Sequence, residues 1–233
     1  MKEIKLFCLP FAGGNKYSYR DFTAKAPACL KVIPLDYPGR GSRMHEPLTT
    51  GVKTLVEDVY AQVKNNLDAQ HYALYGHSMG GLLAYLLTRK IMEQQHRLPL
   101  HLFVTGTEGP AAPVKEEKKK HALSKPALVA ELIKFEGFPE EILQDEELFD
   151  FFEPILRADL EAAENYVHVP RDPMDIPITV ITGTEEDMEW EEVALWQQET
   201  TRKVDFKRIP GNHFFIFDHP DRLLEIITKK LFT

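Results

Sequence analysis

The 233-residue chain has room for one well-buried core, and its 43% hydrophobic and 27% charged residues are ordinary for a globular domain. A formal charge of −8 argues against nucleic acid as the main partner, and no apolar run approaches the roughly 18 residues of a membrane span. An acid and a proline in the opening MKEIKLFCLPFAGG leave no secretion signal, and Cys8 and Cys29 are too few for a disulfide framework, so a cytoplasmic protein is expected.

In chain order, short apolar runs bounded by Gly or Pro predict strands at 4–9, 32–35, 72–75, 100–104, 178–182 and 204–209. Helical patterns lie between them. Leu55, Val59, Val63 and Leu67 recur every four residues, with Glu57, Asp58 and Lys64 off the stripe. Leu82, Leu83, Leu86 and Leu87 repeat the pattern, and further helices are predicted near 191–199 and 221–231. Such alternation predicts a single α/β domain over 1–233, a mostly parallel sheet wrapped by helices. The rhythm breaks at 111–169, where helical segments such as 125–134 and 146–156 replace strands. An all-helical insertion between two strands suggests a lid over the active-site edge; extra scaffold helices are the plainer reading. It opens with VKEEKKKH, a run that most often forms a solvated face.

Gly76-His77-Ser78-Met79-Gly80 fits the G-x-S-x-G nucleophile elbow, with a strand before and a helix after. The flanking glycines let strand and helix pack closely around a strained serine, and the helix N-terminus points its amides at a developing oxyanion. Ser78 is therefore the candidate nucleophile. A serine needs a base held by a third group, and in this architecture the order is serine, acid, histidine. Of the nine histidines only His213 and His219 follow the last strand, and His213 lies on the loop directly after it. His219 reads as a capping or surface residue, and a metal site joining it to Asp218 and Asp221 matches no standard ligand spacing. Strand 178–182 runs into Gly183-Thr184-Glu185-Glu186-Asp187, which locates the acid without choosing among three carboxylates.

LPFAGG (9–14), PGRGSR (38–43), GHSMGG (76–81), LRADLEAAENY (156–166) and PGNHFF (210–215) occur in this order. Together they resemble the stand-alone type II thioesterases that accompany nonribosomal peptide and polyketide synthases. The resemblance spans nearly the whole chain. It implies an α/β-hydrolase with a helical lid that cleaves acyl groups from the phosphopantetheine arm of acyl- or peptidyl-carrier proteins. It implies no metal or organic cofactor, and a monomer is expected. By position Ser78 matches the family nucleophile and His213 the base. The family's usual aspartate falls at Glu186, a departure that leaves Glu186 or its neighbour Asp187 as the acid, with Glu186 favoured. The family position of the oxyanion donors falls on the amides of Ala12 and Met79, with Phe11 a candidate substrate contact. Arg40 and Arg43 are expected to structure their loop, with a carrier phosphate as the alternative partner. Lys118, Lys119 and Lys120 form part of the densest basic cluster and are candidates for docking an acidic carrier. A carboxylesterase, an acyltransferase or a catalytically silent binding protein on the same fold are the competing readings.

Overall fold

The computed structural model describes residues 3–68, 71–113, 119–134 and 140–232. Lys118, Phe135, Phe138 and most of the lysine-rich run fall outside the described residues. Strands β1 (Ile4–Leu9), β2 (Leu30–Pro34), β3 (Tyr72–His77), β4 (Leu102–Thr105), β5 (Ile178–Gly183) and β6 (Asp205–Ile209) form one parallel sheet in the order β2-β1-β3-β4-β5-β6. The parallel sheet flanked by helices that the alternation predicts is what the chain forms. Every residue of β3, β4 and β5 is buried, which is why these strands read as continuous apolar runs.

The described helices are α1 (Arg20–Lys25), α2 (Val52–Val63), α3 (Met79–Glu93), α4 (Lys125–Lys134), α5 (Glu140–Gln144), α6 (Glu146–Glu164), α7 (Trp190–Ala194), α8 (Phe215–Asp218) and α9 (Pro220–Phe232). Helices α2 and α3 cover one face of the sheet, where Leu55, Val59, Leu83 and Leu87 join Leu74, Leu102 and Val104 in a core. Helices α1 and α9 cover the other, where Phe22, Leu223 and Ile227 pack with Leu6, Ala73 and Phe103. Both faces are thereby removed from water, the condition under which a parallel sheet persists.

Between β4 and β5 the described part of the insertion is built on helices, a 3-10 turn at Lys120–Ala122 followed by α4, α5 and α6. Leu128, Leu132, Phe149 and Leu156 form a separate small core, against which Ala12 of the main body packs. The switch in strand order falls between β1 and β3. Leu9 pairs with Gly76 there, so the loop after β1 emerges beside the turn after β3. On the far side Gly183 pairs with Ile209, which brings the loops after β5 and β6 together at the same edge.

Candidate active site

The turn after β3 is strained. Ser78 has φ 53° and ψ −124° and caps α3, while its N–H donates to the Thr105 carbonyl at 2.8 Å. The need for glycine on either side is steric. A Cβ on Gly76 would lie 2.0 Å from the Gly80 carbonyl oxygen, and one on Gly80 would lie 2.1 Å from that of Leu9. Any side chain at either place would drive β3, α3 and the loop after β1 apart. Met79 opens α3, so its amide is among those that a helix leaves without an intrahelical acceptor.

The loops after β5 and β6 are laced by backbone. Thr184 N–H donates to Ile209 O at 2.9 Å and Glu185 N–H to Gly211 O at 3.0 Å. This lacing sets which carboxylate meets the histidine. Glu186 Oε1 lies 2.6 Å from His213 Nδ1, and Glu186 Oε2 accepts the Gly183 N–H at 2.6 Å. The Glu186 side chain is only 3% exposed. Asp187, the alternative candidate, is exposed to solvent, so of these two carboxylates it is Glu186 that the fold sets beside His213. His219 instead ends α8, its N–H donating to Phe215 O at 3.1 Å, and Asp221 holds Lys25 Nζ at 2.6 Å. Among the described residues no group of three metal-ligating side chains is gathered.

Ser78, Met79, Phe11, Ala12 and His213 all line one cavity of about 390 Å³. Its apolar wall comes from Leu82, Leu132, Leu156, Leu160 and Ala163, and Lys120, Glu164 and Glu108 contribute polar groups. Other apolar side chains of the insertion lie away from this wall. Leu128 and Phe149 pack the insertion's own core, and Phe151 is exposed. Lys120, one of the docking candidates, lies inward. It is half-buried, lines the cavity and donates its backbone N–H to Glu164 Oε1 at 2.9 Å, whereas a rim residue would face solvent. Lys119 is exposed, with its ammonium 2.6 Å from Asn165 Oδ1.

One further part of the site, the residue before the serine, carried no clear signal in the sequence. His77 is fully buried, its ring 4.7 Å from that of His213 and its Nδ1 3.0 Å from Thr105 Oγ1. Burial, and then the neighbouring His213, hold His77 well below the usual imidazole range. A neutral ring therefore lies against His213 and brings no competing charge. Arg40 is buried against Asp159 of α6 and so faces no solvent, while Arg43 holds Asp58 and the Asp36 carbonyl. The structural role expected of both arginines is the one they have.

Known proteins resemble this chain over its length. The gramicidin S biosynthesis protein GrsT of Aneurinibacillus migulanus is 30% identical over 230 residues, covering 98% of this chain and 89% of its own. The RedJ thioesterase from the prodiginine pathway of Streptomyces coelicolor superposes with a TM-score of 0.89 at 34% identity, covering 99% of this chain and 91% of its own. BorB, a type II thioesterase from the borrelidin biosynthetic cluster, gives a TM-score of 0.88 at 30% identity, covering 98% and 93%. The two solved structures have the α/β-hydrolase fold, the architecture of this chain's parallel sheet flanked by helices. The family model described as a thioesterase domain matches residues 4–231, and the chain belongs to that family of thioester hydrolases.

Proposed function

We propose that this enzyme removes acyl groups from the phosphopantetheine arm of carrier proteins serving a peptide or polyketide synthase. The supporting observation is the convergence of the strained Ser78 and the Glu186-bound His213 on a single apolar cavity. Relatives named for gramicidin S, prodiginine and borrelidin biosynthesis support the substrate class.

In this reading Ser78 Oγ attacks the thioester carbonyl as His213 Nε2 takes its proton. Glu186 holds the opposite nitrogen and supports the imidazolium. The carbonyl oxygen becomes an oxyanion between the Ala12 and Met79 amides, each worth about 3 kcal/mol of barrier. Collapse breaks the C–S bond, and the pantetheine thiolate leaves with the proton from His213. Water then attacks acyl-Ser78 by the same route, releasing the carboxylic acid and restoring the serine. Side chains and backbone amides suffice for every proton and charge. The insertion acts as a lid whose inner wall receives the acyl chain, and Phe11 contacts the substrate beside it. Lys119 is the docking candidate among the described lysines.

Intact-mass measurement of acyl-loaded carrier proteins tests the reading. Wild type is expected to return the free pantetheine form, and Ser78→Ala to leave the acyl group in place while remaining folded. Faster cleavage of matched oxygen esters than of thioesters would assign the enzyme to carboxylesterases instead.

A further inference from the structure

A carboxylate and a guanidinium both sit in the interior, where removing charges from water costs several kcal/mol per ion. Asp159 of α6 is 0% exposed and Arg40 is 2% exposed. Arg40 Nη2 donates to Asp159 Oδ1 at 2.7 Å, and its Nη1 donates to Oδ2. Apolar residues of similar volume commonly stabilise a fold as well as such a pair does, so its value lies in what it positions. Asp159 Oδ2 also accepts the Gly13 N–H at 2.7 Å. The Arg40 guanidinium lies 5.3 Å over the Tyr37 ring, and Tyr37 OH donates to the Pro10 carbonyl at 2.8 Å. Two arms therefore grip the loop after β1, one at Pro10 and one at Gly13, and the residues between them are Phe11 and Ala12. The turn inside the grip is closed by Gly14 N–H donating to Phe11 O at 2.9 Å. The loop carrying Arg40 is itself anchored, since Asp36 accepts the N–H groups of Ser42 at 2.9 Å and Lys16 at 2.7 Å. Leu156 and Leu160, on either side of Asp159 in α6, line the cavity.

We propose that Asp159 is a positioning residue for the Ala12 amide, so that the oxyanion site is correctly formed only when α6 of the insertion is docked on the loop after β1. The inference rests on the assignment of Ala12 as an oxyanion donor. One helix thereby does two things: it offers the acyl chain a wall, and it holds the loop that stabilises the reacting carbonyl. Oxyanion donors act over a few tenths of an ångström, which makes loop position a rate-determining quantity.

The test compares wild type, Asp159→Asn and the double variant Arg40→Met/Asp159→Leu, which removes both charges and leaves neither uncompensated. Turnover of an acyl-pantetheine thioester is measured together with the affinity of two analogues. A trifluoromethyl ketone forms a tetrahedral adduct on Ser78, whereas a thioether analogue only docks. The expected result is a loss in kcat of about 10–100-fold with KM within about twofold. Ketone affinity should fall in step with kcat/KM, and thioether affinity should stay at its wild-type value. Should Asp159→Asn not fold, the double variant decides. A folded variant with wild-type kcat and ketone affinity would overturn the inference, and so would equal losses for both analogues, which indicate a displaced insertion. Wild-type protein unable to cleave the thioester would overturn the functional reading beneath it as well.

Discussion

Ser78 holds a backbone conformation that costs an L-residue about 1–3 kcal/mol, and the cost persists because its surroundings over-determine it. The glycine contacts at 76 and 80 are what permit that. They were legible in the sequence, because G-x-S-x-G carries its own steric logic. The acid was not. Three consecutive acidic residues are equivalent on paper, and the choice depends on a Gly183 N–H that captures one Glu186 oxygen and aims the other at His213. Glu186→Gln should therefore lower the single-turnover deacylation rate by about 10³-fold or more, because the imidazole loses both its tautomer and its counter-charge. Asp187→Asn should stay within about threefold, as expected of an exposed loop side chain. Comparable small losses in both would place the orienting carboxylate elsewhere.

Helices and strands with long periodic stripes were readable; short or interrupted ones were not. Helix α1 spans six residues and buries only Phe22, too little for a period to register. Helix α6 runs to Glu164, eight residues beyond the expected end, because its later residues Ala158, Asp159 and Ala162 are buried and Pro154 lies inside the helix without ending it. Strand β2 begins at Leu30, ahead of the apolar run, since an edge strand tolerates the exposed Lys31. The central strands carry a titratable group of their own. His101 directly precedes β4, with its ring stacked 4.1 Å from Phe103 and its Nε2 2.8 Å from Thr179 Oγ1 of β5. Burial, with Lys230 adding repulsion and Asp205 opposing it, pushes its pKa down to about 4. The unfolded chain takes up this proton near the ordinary value of about 6.5, before the folded one does. Stability from this group is thus present above about pH 6.5 and is lost as pH falls towards 4, on the order of 3 kcal/mol in all. Urea unfolding at pH 7 and pH 4 should show a smaller pH difference for His101→Gln than for wild type. Equal differences in the two proteins would remove His101 as the source.

At the scale of the molecule, a net charge of −8 must meet a carrier whose docking face is itself expected to be acidic. Lysines near the cavity mouth then matter locally, and the structure separates two that the sequence treats alike. Lys119→Glu should slow turnover of an acyl-carrier several-fold and spare a small acyl-pantetheine, because an exposed charge acts on encounter. Lys120→Glu should impair both substrates, since it puts a carboxylate into a cavity already lined by Glu108 and Glu164. Identical substrate profiles for the two variants would refute that division. The serine turn, the placing of His213 beyond the last strand and the overall architecture could be read from one chain because each is a local pattern or an order of elements. The clamp formed by Arg40, Asp159 and Gly13 could not, since its members lie 27 to 146 positions apart and meet only in space. The parallel sheet has a last consequence, for how such an enzyme can diversify. Ser78 and the Ala12 loop leave from β3 and β1, Glu186 and His213 from β5 and β6, with β4 as the spacer. Strands repeat about every 4.8 Å, so the sheet works as a ruler that fixes the separation of the reacting groups in whole strand units. The insertion is attached to that ruler without being measured by it. Its helices can be recast for a new acyl group while the chemistry keeps its dimensions, and the single notch that such drift must preserve is the turn of α6 carrying Asp159.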